Sequence, residues 1–262
     1  MIQTLDREEC VLSYELRPGS PDLAPVVLLH GYGVDRTMWD RELDALAGRT
    51  ALALDIRGHG DSRPCGSFSV PLAAEDLRAV LEREGLERPV LVGLSMGGFV
   101  VQEYAFRCGG AAGYWVIGDT PILLDGYARW ETWSLARSTA MFRPFPWGFL
   151  KGWMVRASAC TPQGRERLRP MFDRLTKAEF LRGWAGVAAC LHPEPGFRFD
   201  APLLVCCGEK DNTGTIRQHM GDWAGAYPGV EVQVVPGAAH CVNLDQPEEF
   251  QRMMEEFLRT VG

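Results

Sequence analysis

Short runs of apolar, often β-branched residues recur along the chain, and each ends at or near a Gly, Asp or His. Six such runs occupy residues 26–30, 51–55, 89–95, 113–119, 202–208 and 230–237. They are almost continuously hydrophobic rather than alternating, which is typical of strands buried on both faces of a parallel sheet. The stretch from Ile2 to Leu16, which precedes the first run, predicts an antiparallel hairpin at the sheet edge.

Helical patterns fall between the apolar runs. Residues 71–85 begin at Pro71, carry an apolar stripe at helical spacing and stop at Gly85, so they predict a helix. Strands that alternate with helices in this way predict an α/β fold with a doubly wound, mostly parallel sheet.

One long segment interrupts this alternation. Residues 120–197 contain no strand pattern and have a helical character broken by several prolines. We interpret them as an inserted helical cap, here called the cap segment, and residues 1–119 and 198–262 as the core domain. Lys and Arg outnumber Asp and Glu in the cap segment, which fits anionic substrates, although solvated surface charge explains the excess about as well.

Five of the eight tryptophans lie in the cap segment. A small helical layer needs large side chains to bury any surface, so most of its aromatic residues are expected to serve packing. Some should still face a substrate. Four tryptophans are candidate pocket walls: Trp130, Trp133, Trp147 and Trp153.

Composition and charge exclude several kinds of partner. The 262 residues carry a net charge of −7 and no run of basic residues, so nucleic acid is not an expected partner. No apolar run is long enough to span a membrane and the first residues include several acids, so neither a membrane partner nor secretion is expected. Eight scattered cysteines without CxxC spacing indicate reduced thiols in a cytoplasmic protein rather than a zinc site. Both a monomer and a homodimer fit the sequence.

The segment Gly93–Gly97 has the spacing G-x-S-x-G, with Ser95 at its centre. It follows an apolar strand and opens a helix predicted over 96–106, which is the context in which a sharp turn exposes a nucleophilic serine. The helix N-terminus then directs free backbone N–H groups toward whatever is bound at Ser95.

A serine nucleophile needs a histidine base and a carboxylate that orients the base. Of the five histidines, His240 directly follows the last predicted strand and is the expected base. Asp211 follows the strand at 202–208 and is the favoured acid. Asp119, which ends the neighbouring strand, is the alternative, because both lie at the carboxyl edge of the sheet, where open α/β sheets bind ligands.

The sequence His30-Gly31-Tyr32-Gly33 closes the strand at 26–30. Its small residues allow a backbone N–H group to approach a developing oxyanion, so the amides of Tyr32 and Met96 are the expected donors of an oxyanion hole. Gly31 is a further candidate for the substrate pocket. This chemistry requires neither a metal ion nor an organic cofactor.

Five motifs resemble the α/β-hydrolase superfamily in their order and over nearly the whole chain. They are HGYG, DIRGHGDS, GLSMGG, GEKD and GAAH with its trailing NLDQP. The resemblance implies an eight-stranded core, a cap after the sixth strand, a catalytic triad in the order Ser95, Asp211, His240, and a two-amide oxyanion hole. Haloalkane dehalogenases and epoxide hydrolases of this superfamily carry Asp at the position of the nucleophile, where this chain has Ser95. The sequence therefore disfavours both activities. The general pattern is similar to small carboxylesterases and enol-lactonases.

The predicted function is therefore hydrolysis of a small carboxylic ester or lactone, possibly anionic, through an acyl-enzyme intermediate. One alternative keeps the triad but cleaves or forms a carbon–carbon bond in an acidic substrate, with Arg129 or Arg143 holding a carboxylate. Another is a signalling protein that turns over a bound ligand slowly. An aminopeptidase would need an acid in the cap segment, for which three residues are available: Glu131, Glu166 and Glu179.

Overall fold

The centre of the fold is an eight-stranded sheet, seen here in a computed structural model that describes residues 1–261. Its strands are β1 (Ile2–Arg7), β2 (Cys10–Arg17), β3 (Val26–Leu29), β4 (Ala51–Asp55), β5 (Val90–Leu94), β6 (Gly113–Ile117), β7 (Leu203–Gly208) and β8 (Glu231–Val235). Their order in the sheet is β1-β2-β4-β3-β5-β6-β7-β8. The hairpin β1–β2 is antiparallel and β3 to β8 run parallel, which confirms the predicted fold class.

Burial of the strands follows their position in the sheet. Every residue of β3 to β7 is buried, as the continuous apolar runs predict. The prediction of a buried strand is wrong for β8, of which only Val235 is buried and Val234 is half exposed. The physical reason is that β8 is the last strand of the sheet and pairs on one side only.

Helices fill the connections between the strands. They are α1 (Asp40–Ala45), α2 (Val70–Glu84), α3 (Met96–Arg107), α4 (Arg129–Phe142), α5 (Trp147–Ser158), α6 (Pro162–Asp173), α7 (Lys177–Val187), α8 (Met220–Ala226), α9 (Val242–Asp245) and α10 (Pro247–Val261). The predicted helix at 71–85 is α2. It begins after Ser69, whose hydroxyl accepts a hydrogen bond from the Leu72 N–H, and it ends at Gly85 in the left-handed conformation.

Apolar side chains pack against both faces of the sheet. One cluster joins the sheet to α2, α3 and α8, and the other joins it to α1 and α10. In the second cluster, the Trp115 ring of β6 stacks on Phe250 of α10 with ring centroids 4.7 Å apart. This two-sided packing holds the carboxyl ends of the parallel strands in place for the site described below.

Four helices, α4 to α7, connect β6 to β7, and no strand occurs between residues 120 and 197. Contacts fasten this connection to the core: Phe172 of α6 packs against Gly33, and Arg174 pairs with Asp35 and Asp61. The exact division at residues 119/120 and 197/198 stays a prediction. Helix α4 differs from the others because none of its residues is buried. Within residues 1–261, no helix combines the length and apolar character needed to cross a membrane.

Candidate active site

Ser95 occupies the one-residue turn between β5 and α3. Its φ of 53° and ψ of −120° lie where residues with a side chain are rarely found. Hydrogen bonds hold this strained residue on both sides, because its N–H donates to the Ile117 carbonyl at 2.8 Å and its carbonyl accepts from the Phe99 N–H at 3.0 Å. The half-buried Ser95 side chain therefore stands at the N-terminus of α3, where the helix dipole favours negative charge.

Asp211 and His240 form a buried hydrogen-bonded pair. Asp211 follows β7 and His240 follows β8, so the parallel strands bring both to the same edge of the sheet. The His240 Nδ1 lies 2.8 Å from the Asp211 Oδ2, and the other carboxylate oxygen accepts a hydrogen bond from the Thr213 N–H at 2.8 Å. When Nδ1 donates its proton to the carboxylate, Nε2 of the neutral ring is left free to accept a proton.

The surroundings of Asp211 keep its carboxylate charged. Burial alone raises the pKa of Asp211, but the neighbouring His240 charge and the hydrogen bonds from His240 and Thr213 outweigh it. The pKa of Asp211 consequently lies below its ordinary value. A carboxylate that is charged at neutral pH can stabilise an imidazolium on His240.

Gly118 packs against the His240–Asp211 pair. It directly follows Ile117, the residue that accepts the hydrogen bond from Ser95. A Cβ atom added to Gly118 would lie only 3.0 Å from Nδ1 and 3.1 Å from Cε1 of His240, and 3.4 Å from the Asp211 Oδ2. The φ of Gly118 is also +58°. Both its conformation and its contacts therefore favour glycine at this position.

Asp119, the alternative acid, is buried beside the pair but has different partners. Its Oδ1 accepts a hydrogen bond from the Thr120 N–H at 3.1 Å, and its Oδ2 has no hydrogen-bond partner within residues 1–261. Burial and the nearby Asp211 charge raise the pKa of Asp119 well above its ordinary value. Asp119 also packs so closely on Gly98 that a Cβ on Gly98 would clash with it. The geometry thus favours Asp211 as the partner of His240.

The two expected oxyanion donors flank Ser95. Met96 is the first residue of α3, so the helix offers its N–H no carbonyl acceptor. The Tyr32 N–H has no hydrogen-bond partner in the described part of the chain. A Cβ added to Gly31 would lie 3.6 Å from the Ser95 Cβ, which places this loop directly beside Ser95. Assignment of the oxyanion hole to these two amides remains a prediction.

The side chain of Tyr32 reaches away from Ser95 into the cap segment. Its hydroxyl donates a hydrogen bond to the Phe180 carbonyl in α7, and its ring contacts those of Phe180 and Trp184, with centroids 5.2 and 5.3 Å away. Gly183 leaves room for this contact, because a Cβ there would lie 2.7 Å from the Tyr32 hydroxyl oxygen. One residue thus joins the predicted oxyanion loop to the cap segment.

The four tryptophans proposed as pocket walls have unlike surroundings. The side chains of Trp130 and Trp133 in α4 are 61% and 60% exposed, and Trp153 in α5 is 48% exposed. Trp147 is half-buried, donates its indole N–H to the Leu175 carbonyl at 3.0 Å and packs on the Phe180 ring. The structure therefore does not gather the four into one wall.

Two of the three acids considered for an aminopeptidase, Glu131 and Glu179, have other partners. Glu131 lies 2.7 Å from the His219 Nε2, and Glu179 accepts a hydrogen bond from the Thr176 N–H at the start of α7. Within residues 1–261, no group of three or more His, Cys, Asp or Glu side chains is arranged to hold a metal ion, and all eight cysteines are free thiols.

Two residues of this region, Gly118 and Gly183, are not among the candidates that the sequence supplies. Gly118 carries a weak signal, since it immediately precedes Asp119 at the end of a predicted strand. Gly183 carries none, because its importance depends on a contact with Tyr32, which is 151 positions earlier in the chain.

Comparisons with known proteins identify the family. A model of the alpha/beta hydrolase family matches residues 26–252, so the chain belongs to that family. It is an enzyme of the α/β-hydrolase superfamily, with esterases and an enol-lactonase among its structural neighbours.

Three relatives illustrate the range of the resemblance. The chain is 28% identical to a 2-succinyl-6-hydroxy-2,4-cyclohexadiene-1-carboxylate synthase of Serratia proteamaculans, over 94% of this chain and 98% of the relative. A thermophilic esterase from Thermogutta terrifontis superposes with a TM-score of 0.84 at 26% identity, covering 100% and 99% of the two chains. The enol-lactonase from Burkholderia xenovorans LB400 gives a TM-score of 0.79 at 20% identity, covering 98% and 100%, and shows similarity of fold.

Proposed function

We propose that the protein hydrolyses a small carboxylic ester or lactone by acyl transfer through Ser95. The observation that carries the proposal is the strained turn at Ser95, whose N–H binds the Ile117 carbonyl while the next residue, Gly118, packs against the His240–Asp211 pair. Esterases and an enol-lactonase among the proteins of similar fold support the same class of substrate.

In this mechanism, the Ser95 Oγ attacks the carbonyl carbon while the His240 Nε2 takes the hydroxyl proton. The carbonyl oxygen becomes an oxyanion, which the N–H groups of Tyr32 and Met96 stabilise. His240 then gives its proton to the leaving alkoxide, and the acyl group stays on Ser95. A water molecule then attacks the acyl carbon while His240 takes its proton, and His240 returns that proton to the Ser95 Oγ as the acid leaves. Asp211 stays ionised throughout and stabilises the imidazolium.

The experiment measures initial rates on p-nitrophenyl acetate, butyrate and octanoate with the wild type and with Ser95→Ala. We expect turnover of the short esters and a loss of at least about 10⁴-fold in kcat for Ser95→Ala. Ser20→Ala is the matched control, because Ser20 lies at the opposite end of the sheet, before β3, and this variant should retain full activity.

Mass spectrometry of a trapped acyl-enzyme distinguishes hydrolysis through Ser95 from background hydrolysis of the ester. A slowly deacylating ester should add one acyl group to the wild type and none to Ser95→Ala. If both proteins hydrolyse all three esters equally slowly and no adduct forms, the ester proposal is wrong, and the carbon–carbon and slow-turnover signalling alternatives take its place.

A second candidate is carbon–carbon bond chemistry on an acidic substrate. It is favoured by the 28% identity to a protein named as a synthase. A cavity of about 530 Å³ lies between Tyr32 and α7, although Ser95, Asp211 and His240 are not among its lining residues. Arg143 and Arg182 line this cavity and form no salt bridge within residues 1–261. Arg129, the other arginine considered for a carboxylate, is exposed at the start of α4.

This candidate predicts that acidic substrates react faster than neutral esters and that Arg143→Gln removes the preference. Arg198→Gln is the control, because Arg198 is exposed and lies outside the cap segment. Faster turnover of neutral esters in both the wild type and Arg143→Gln would rule the candidate out.

A further inference from the structure

Large apolar side chains are exposed together on one part of the cap segment. Half of the exposed large hydrophobic residues within residues 1–261 fall in the short stretch 130–153. They are Trp130, Trp133, Met141, Phe145, Phe149 and Trp153, which we call the α4–α5 patch. Single exposed apolar residues are ordinary on protein surfaces, whereas a concentration of them in one short stretch points to an interaction site.

The arrangement of the patch is that of an amphipathic helix turned outward. Four residues share the exposed face of α4, because they follow one another at spacings of three, four and four. They are Trp130, Trp133, Arg137 and Met141. The Arg137 guanidinium lies over the Trp133 ring, 5.7 Å from its centroid. In the loop and helix that follow, the rings of Phe145 and Phe149 stack 5.5 Å apart.

The charge around the patch is strongly positive although the chain as a whole is acidic. Residues 129–158 hold five basic residues and one acid, a net charge of +4 in a chain of −7. The acid, Glu131, is already paired with His219. Arg129, Arg137 and Arg156 are exposed and form no salt bridge within residues 1–261. Their charge is therefore available to an external partner.

We propose that the α4–α5 patch docks on the surface of an anionic lipid bilayer. Tryptophan and phenylalanine beside arginine and lysine on a single exposed face are the composition that binds at the bilayer interface. A second copy of this chain fits less well, because a twofold contact would bring two patches of the same charge together. This is peripheral binding. The sequence-based expectation of no membrane partner concerned spanning segments, which this mode of binding does not need.

The test uses the full chain and sedimentation of vesicles made of phosphatidylcholine alone or with 30% phosphatidylglycerol. We expect at least tenfold tighter binding to the anionic vesicles and a several-fold loss when NaCl is raised from 0.1 to 0.5 M. Each arginine near an anionic surface contributes about fivefold in affinity, so Arg129→Gln with Arg137→Gln should weaken binding about 25-fold.

A second pair of variants separates apolar contact from charge. Phe145→Ser with Phe149→Ser keeps every charge and should still lower the affinity tenfold or more. Val11→Thr and Arg78→Gln are matched controls on exposed positions of β2 and α2, and they should bind within twofold of the wild type. Melting temperatures within a few degrees of the wild type show that each variant is folded.

Three results would overturn the proposal. The first is no binding to anionic vesicles, and the second is equal binding to both kinds. The third is a dimer in solution that disappears in the Phe145/Phe149 variant while vesicles are not bound, which would assign the patch to self-association. Vesicle binding is measured without a substrate, so the result is independent of the proposed ester hydrolysis.

Discussion

Replacement of Gly118 by alanine tests whether the position of His240 limits the chemistry. The added Cβ would lie 3.0 Å from Nδ1 and 3.1 Å from Cε1 of the imidazole. Ordinary carbon contacts begin near 3.5 Å, so the ring has to move by about 0.4 Å or more. The backbone behind Gly118 cannot easily yield instead, because the Gly118 N–H is hydrogen-bonded to the Cys206 carbonyl in β7 at 2.7 Å.

The expected losses in kcat and in stability follow from the contact with His240 and from the φ of Gly118. A misplacement of about 1 Å in a catalytic geometry costs on the order of 10²-fold in rate, so Gly118→Ala should lower kcat by roughly 10- to 100-fold. KM should change little, since the substrate itself contacts neither the new methyl group nor Nδ1 in the proposed mechanism. The left-handed φ of +58° adds a loss of about 1 kcal/mol in the free energy of unfolding.

Gly85 supplies a control that isolates the backbone effect. Its φ of +64° is nearly that of Gly118, but no atom lies within 4 Å of an added Cβ. Gly85→Ala should therefore lose about the same stability in urea unfolding and keep its kcat on p-nitrophenyl butyrate. If Gly118→Ala keeps the kcat of Gly85→Ala, contact with His240 does not control the reaction, and the geometric argument fails.

Three further predictions concern buried groups and the cap contact. Because burial raises the pKa of Asp119, its ionisation opposes folding above its unfolded pKa of about 4. Asp119→Asn should therefore be more stable than the wild type at pH 7 and show no gain at pH 3; an equal gain at both pH values in urea unfolding would contradict this. Gly183→Ala should displace the Tyr32 ring and lower kcat about tenfold, whereas unchanged kinetics would show that the contact is not needed for catalysis. Asp76→Asn leaves the buried Arg57 guanidinium without its charged partner and should cost about 3 to 5 kcal/mol, seen in calorimetry as a drop of about 6 to 10 °C in Tm.

Much of the core could be predicted from the sequence because the inner strands are buried on both faces. Continuous apolar runs are then required by the solvent-free environment, and they mark β3 to β7 within one or two residues. The same reasoning fails at β8, where the apolar run is present but the strand lies at the sheet edge. A run of apolar residues reports strand propensity as well as burial, and only the topology separates the two.

The pairing of His240 with Asp211 could be anticipated because it depends on strand ends, which the pattern of the core supplies. The cap segment could not be resolved in this way. Its helices bury few residues, so amphipathic periodicity does not indicate which face is covered. The tryptophans of α4 illustrate the difficulty: at helical spacing they indicate a packed or substrate-facing stripe, yet they occupy the exposed face.

Tyr32 connects the core domain, whose strands could be predicted, with the cap segment, whose exposed and buried faces could not. Its backbone N–H is an expected oxyanion donor, while its side chain is anchored to α7 through Phe180. Burial raises the pKa of the Tyr32 phenol above its ordinary range, so the hydroxyl stays protonated and remains a hydrogen-bond donor at all ordinary pH values. Any displacement of α7 relative to the core must therefore break this bond or move the loop beside Ser95. In the proposed mechanism, the position of the cap segment thus affects the chemical step as well as access of the substrate, because one residue serves both.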